Sequence, residues 1–134
     1  MKIIACVDDR LGMMFNHRRQ SRDRYLLDDV KNDLGDTVLR ISPYSEKLLS
    51  GSGIRYVIAE DPFLDAGTGS VIFVEDKDPL PYLSDIDEIT LYRWNRKYPY
   101  DVALTIPLSE FRLIISSEFE GYSHEKITKD IYKK

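Results

Sequence analysis

Cysteine is almost missing from this sequence, with one in 134 residues, and histidine is scarce, with two. A single thiol cannot close an internal disulfide, which makes a reducing cytoplasm the expected compartment. Two histidines and one cysteine leave no zinc pattern such as His-Glu-x-x-His or paired Cys, so no metal is expected. Long apolar runs are lacking as well. None approaches the roughly 18 residues that span a bilayer, and no membrane partner is expected. The opening MKIIACVDD has too short an apolar stretch, with acids directly behind it, to read as a secretory signal. It reads instead as a buried first strand, in which Cys6 is expected to be an inert thiol. Repeats, low-complexity tracts and linkers are also missing, and the length fits a single domain over 1–134.

What is present is charge, unevenly spread. The formal net charge is −4, yet Arg10 to Arg24 holds five Arg and one Asp, while Glu60 to Glu88 holds nine acids and one Lys. Such asymmetry within one domain bears on partners rather than on fold. The densest part, RRQSRDR at 18–24, carries four of the ten arginines.

Apolar patterning predicts strands at KIIACV, TVLRI, IRYVIA, VIFVE and EITLYRW. A terminal antiparallel pair, FRLIISSEF and HEKITKDIY, is joined across Gly-Tyr-Ser. Leu26, Leu27, Val30 and Leu34 have helical spacing, which predicts a helix over 21–34 with Ser21 as its N-cap and Gly35 just past its end. Ser42 and Pro43 predict the start of a short second helix that Gly51 stops. The stretch DDRLGMMFNHRRQ reads as an irregular loop. Strands alternating with short helices, then two late strands, imply an α/β sheet that is mainly parallel with an antiparallel C-terminal edge.

The order and endings of these elements resemble the dihydrofolate reductase fold over nearly the whole chain. IIACVDDRLGM is similar to that family's first strand and its Asn/Asp-Arg-x-(Ile/Leu)-Gly loop. ITLYRW followed by SEFRLIISSEFEGYSHEKITKDIY is similar to its last three strands, and the segments at 21–34 and 37–49 fall where it has its first helix, second strand and next helix. The resemblance implies a three-layer α/β/α domain around an eight-stranded twisted sheet, with an element or two trimmed here. Relatives with this ending can carry a ribonuclease Z label. The metal-dependent nucleases of that name rest on His-x-His-x-Asp-His, which this chain does not contain.

The departures from the family bear on function. Its Gly-Arg/Lys-x-Thr phosphate turn is replaced by Ile41-Ser42-Pro43-Tyr44, and its Gly-Gly pair by Glu75-Asp76. Two carboxylates facing a pyrophosphate would cost on the order of 4 kcal/mol for each contact at about 4 Å. The resemblance without these motifs therefore implies no NADPH, no other cofactor and no reductase activity. The family's pocket Thr is replaced by Tyr92. Asp23 falls near the position of the family's pterin-holding carboxylate, and it also suits the first turn of a helix.

The family's loop packing would gather Arg18, Arg19, Arg22, Arg24, Arg93, Trp94, Arg96, Lys97, Tyr122 and His124 on one side of a cleft. Guanidinium forks grip phosphate, and aromatic faces stack on bases. Arg18, Arg19, Arg22, Arg24, Trp94, Arg96 and Tyr122 are thus candidate ligand-binding residues. Asp23, Tyr92 and His124 are candidates for proton transfer. The same arginines could instead form salt bridges that rigidify the loops. Three functions stay open: a site for an anionic small molecule or nucleotide, RNA binding or metal-free RNA processing, and a non-catalytic protein-interaction module. The oligomeric state cannot be read from these residues.

Overall fold

The computed structural model describes residues 1–134. Its strands are β1 (Lys2–Val7), β2 (Gly12–Phe15), β3 (Arg18–Arg19), β4 (Leu39–Ile41), β5 (Tyr56–Ile58), β6 (Val71–Val74), β7 (Glu88–Arg93), β8 (Val102–Ala103), β9 (Arg112–Phe119) and β10 (Ile127–Lys133). Its α-helices are α1 (Arg24–Leu34) and α2 (Glu46–Leu49). The main sheet has seven strands in the order β5-β4-β6-β1-β7-β10-β9. Neighbours from β5 to β7 pair in parallel, whereas β10 runs antiparallel to both β7 and β9. The antiparallel strand thus lies one place in from the edge, and β9 forms the edge itself.

Alternation along the strands builds two cores. Ile3, Ala5, Val7, Ile72, Val74, Ile89 and Leu91 face one side, where Phe63, Leu104, Ile106 and Phe111 cover them from loops and 3-10 turns. Ile4, Phe73, Tyr92, Leu39 and Ile41 face the other side, under Leu26, Val30 and Leu34 of α1 and Leu48 and Leu49 of α2. Only the second face carries α-helices. No helix is long and apolar enough to cross a membrane.

Three local expectations need correction. The helix starts at Arg24, and its cap is Asp23, whose Oδ1 accepts the Tyr25 and Leu26 N–H groups at 2.9 and 3.3 Å. Ser and Asp cap about equally well, so tertiary partners decide between them; Ser21 is drawn to His124 instead. Ser42 makes no side-chain cap, because its hydroxyl donates to Asp76 at 2.9 Å. The supposed irregular loop is a hairpin of β2 and β3, extended by β8 into a second, three-stranded sheet. Its turn, Asn16-His17, has φ of 51° and 63°, the left-handed pair that two-residue hairpins of type I′ require.

Candidate functional site

The parallel strands β1, β4, β6 and β7 deliver their C-terminal ends to one edge of the sheet, where open α/β sheets place their sites. Asp8, directly after β1, is fully buried and accepts from the backbone N–H groups of Arg10, Gly12 and Tyr98 at 2.7–3.1 Å. It fixes the loops on both sides of the mouth. Trp94, directly after β7, is 3% exposed and lies beneath His124, with ring centroids 4.6 Å apart.

Asp23 is the hub. Beyond capping α1, it accepts the Tyr122 and Ser123 N–H groups at 3.0 and 2.9 Å and pairs with His124 Nδ1 at 2.8 Å. Burial pushes its carboxyl up, but the bonds from Ser123, His124, Tyr122 and Leu26 outweigh that and hold it well below the usual carboxylate range. An ionised Asp23 can only accept, so His124 Nδ1 is the donor. In the neutral ring, Nε2 then carries the lone pair, and Nε2 lies 2.8 Å from Ser21 Oγ. Gly121 makes the approach possible, since a Cβ there would lie 2.7 Å from Asp23 Oδ2 and 2.9 Å from the His124 carbonyl.

Above this chain opens a cleft of about 490 Å³ between the start of α1, the residues after α2 and the β9–β10 turn. Arg22, Arg24, Asp28, Ser52 and Tyr122 are on its lining. The Arg24 guanidinium sits 4.7 Å from the centre of the Tyr122 ring. Neither Arg22 nor Arg24 forms an ion pair or donates a side-chain hydrogen bond. An inner cavity of about 20 Å³, lined by Met13, Phe73, Trp94, Ser21 and Glu75, shares Arg22, Asp23, Leu27 and Leu48 with the cleft. Cys6 also borders it, and burial, with the nearby Glu75 charge, pushes that thiol far above its ordinary range.

The structure thus divides the arginine wall. Arg22, Arg24 and Tyr122 share the cleft with Asp23. Arg19 instead clamps Glu75 through two bonds of 2.8 and 3.1 Å, while Ser45 donates to the same carboxylate at 2.7 Å. Glu75 is therefore not an uncompensated charge, which corrects the repulsion argued from the sequence; what fills that end of the site is an ion pair. Arg18 lies exposed at the β2–β3 hairpin beside a groove that includes Phe15 and Tyr98. Arg96 borders a different groove with Glu125 and Lys126. Arg93 is bound to Asp130 and Tyr132, both at 2.8 Å.

Trp94 is packed in the core and offers no open face to a base. Tyr92 is fully buried and donates to Asp29 on α1 at 2.6 Å; burial and that bond push its phenol far above the usual range. It takes no part in the cleft. Asp23 and His124 do meet, with Asp23 on the lining of the cleft and His124 packed behind it. Ser21 was read from the sequence only as a helix cap, and Ser123 and Ser45 carried no signal at all. The single hint of this cluster is the family-like packing of the final hairpin turn against the start of α1.

No protein-family model matches the chain, and no curated protein matches it in sequence. Among solved structures, the chain is similar to the dihydrofolate reductase from Enterococcus faecalis complexed with NADP(H) and RAB-propyl. The TM-score is 0.69 at 9% identity, over 98% of this chain and 94% of that one. The likeness establishes a dihydrofolate-reductase-like α/β fold.

Proposed function

We propose that this domain binds an anionic small molecule, a nucleotide or phosphorylated metabolite, in the cleft beside α1, and that it does so without NADPH. The reading rests on one observation above the others: Arg22 and Arg24 flank a 490 Å³ cleft with no carboxylate paired to either. Two unspent guanidinium groups beside a half-enclosed cavity attract phosphate by about 4 kcal/mol each at 4 Å before screening. Asp28 on the rim offsets part of this. Asp23 offsets less, since four N–H groups and His124 already surround it. Against NADPH stand the Arg19–Glu75–Ser45 cluster beyond β6 and a turn at 41–44 without glycine or cation.

Calorimetry with AMP, ADP, NADPH and dihydrofolate tests the reading. Binding of a nucleotide, weakened tenfold or more by Arg22→Ala with Arg24→Ala, is the expected result. Saturable binding of NADPH with reduction of dihydrofolate would overturn it.

A further inference from the structure

We propose that Ser21, His124 and Asp23 form a hydrolytic centre in which Ser21 is the nucleophile toward short-chain acyl esters of an anionic alcohol. The substrate class rests on the anion-binding reading of the cleft; the centre itself rests on its own geometry. Ser21 Oγ lies 2.8 Å from His124 Nε2, and His124 Nδ1 lies 2.8 Å from Asp23 Oδ2. Nucleophile, base and orienting carboxylate within hydrogen-bond reach is the arrangement that activates a serine, recognised by geometry and not by sequence position.

Four features set this cluster apart from a loop tie. Asp23 is anchored by backbone N–H groups of both α1 and the β9–β10 turn, and Trp94 stacks on the imidazole, so the ring is fixed on two sides. His124 is 8% and Asp23 3% exposed, which keeps water from loosening the pair. The Ser21 hydroxyl has His124 as its sole partner, and α1 is already capped without it. Neither Ser21 nor Arg22 donates its backbone N–H to an acceptor in the protein, which leaves two adjacent donors for a developing oxyanion.

Room decides the acyl group. The inner cavity beside Ser21 holds about 20 Å³ and is walled by Met13, Phe73 and Trp94, room for about one methyl-sized group and so for no acyl chain longer than that of an acetyl, whose methyl alone would enter it. Arg22 and Arg24 then take the anionic leaving group in the outer cleft. In the reaction, Ser21 Oγ forms a bond to the acyl carbon as its proton passes to Nε2 and the carbonyl pair moves to oxygen. Collapse breaks the bond to the leaving oxygen, which takes the proton from Nε2. Water repeats the sequence, its proton passing through Nε2 to Ser21 Oγ as the acid leaves. Ester plus water gives acid plus alcohol, with no redox partner.

The full chain is treated with a small alkyl fluorophosphonate, and the adduct is located by mass spectrometry. One adduct at Ser21, absent in Ser21→Ala, is expected. So is turnover of 4-acetoxybenzoate above that of 4-acetoxybenzyl alcohol, lost in Ser21→Ala. Asp23 is the positioning residue: Asp23→Asn should lower kcat on the order of 10³-fold or more with KM little changed. No adduct and no turnover, in protein with an intact cooperative unfolding transition, overturns the proposal. AMP binding to Ser21→Ala is measured alongside. If AMP still binds while Ser21 is inert, the hydrolytic centre falls and the cleft reading stands. If Ser21 is labelled but AMP does not bind and the anionic ester is not preferred, the anionic substrate class falls.

Discussion

Asp23 carries more contacts than any other carboxylate in the molecule, and its titration follows from them. Its folded pKa is depressed, so its contribution to stability is fully present above the unfolded value of about 3.9 and is lost as pH falls below it. Urea titrations at pH 7 and about pH 2 should show that loss in the native chain and a smaller one in Asp23→Asn. At pH 7 the Asn variant should be less stable by about 1–3 kcal/mol, because an amide accepts poorly from four N–H groups at once. Arg19→Ala leaves Glu75 buried without its partner and should cost about 3–5 kcal/mol, whereas Arg19→Met with Glu75→Leu should recover most of it; thermal unfolding separates the two. Gly121→Ala drives a methyl into Asp23 and the His124 carbonyl. It should cost about 1–3 kcal/mol, and it should displace the imidazole ring current that Trp94 feels, visible in the aromatic NMR spectrum.

Among the elements, legibility followed length and periodicity. The strands β1 and β6 lie within unbroken apolar runs, β7 sets Ile89, Leu91 and Tyr92 around a single Thr90, and α1 shows Leu26, Val30 and Leu34 on one stripe, so both kinds could be read directly. The short strands β2, β3 and β8 could not, because two to four residues hold no period, and β2 finds β8 only through the distant pairing of Gly12 with Ala103. The cap shifted from Ser21 to Asp23 for a related reason: equal propensities leave the choice to tertiary bonds. The site suffered most. Its three members meet only because residues 121–124 fold back on residues 21–23, and no spacing in the chain announces that. β9 poses a different problem. It is an edge strand with Leu113, Ile114 and Ile115 each about half exposed, the unpaired apolar edge that promotes association. Ile114→Lys should leave stability within about 0.5 kcal/mol and lower light scattering at high concentration.

For the molecule as a whole, a dihydrofolate-reductase-like fold carries a mouth held by ion pairs and buried hydrogen bonds. The sheet and its two cores match a dihydrofolate-reductase-like fold, and the Arg19–Glu75 pair, the buried Trp94 and the Asp23 hub stand at its mouth. The placement of β10 between β7 and β9 has a consequence for biosynthesis. Five parallel strands can assemble as the chain emerges from a ribosome, but the edge of β7 stays unpaired until residue 133 has been made. His124 reaches Ser21 only when that strand slides into the gap. From the completion of β7 at Arg93 until β10 is made, the nascent protein therefore carries an open sheet edge and no reactive centre. Both conditions end with the same docking event, so any chemistry at Ser21 begins only once the barrier against misassembly has been closed.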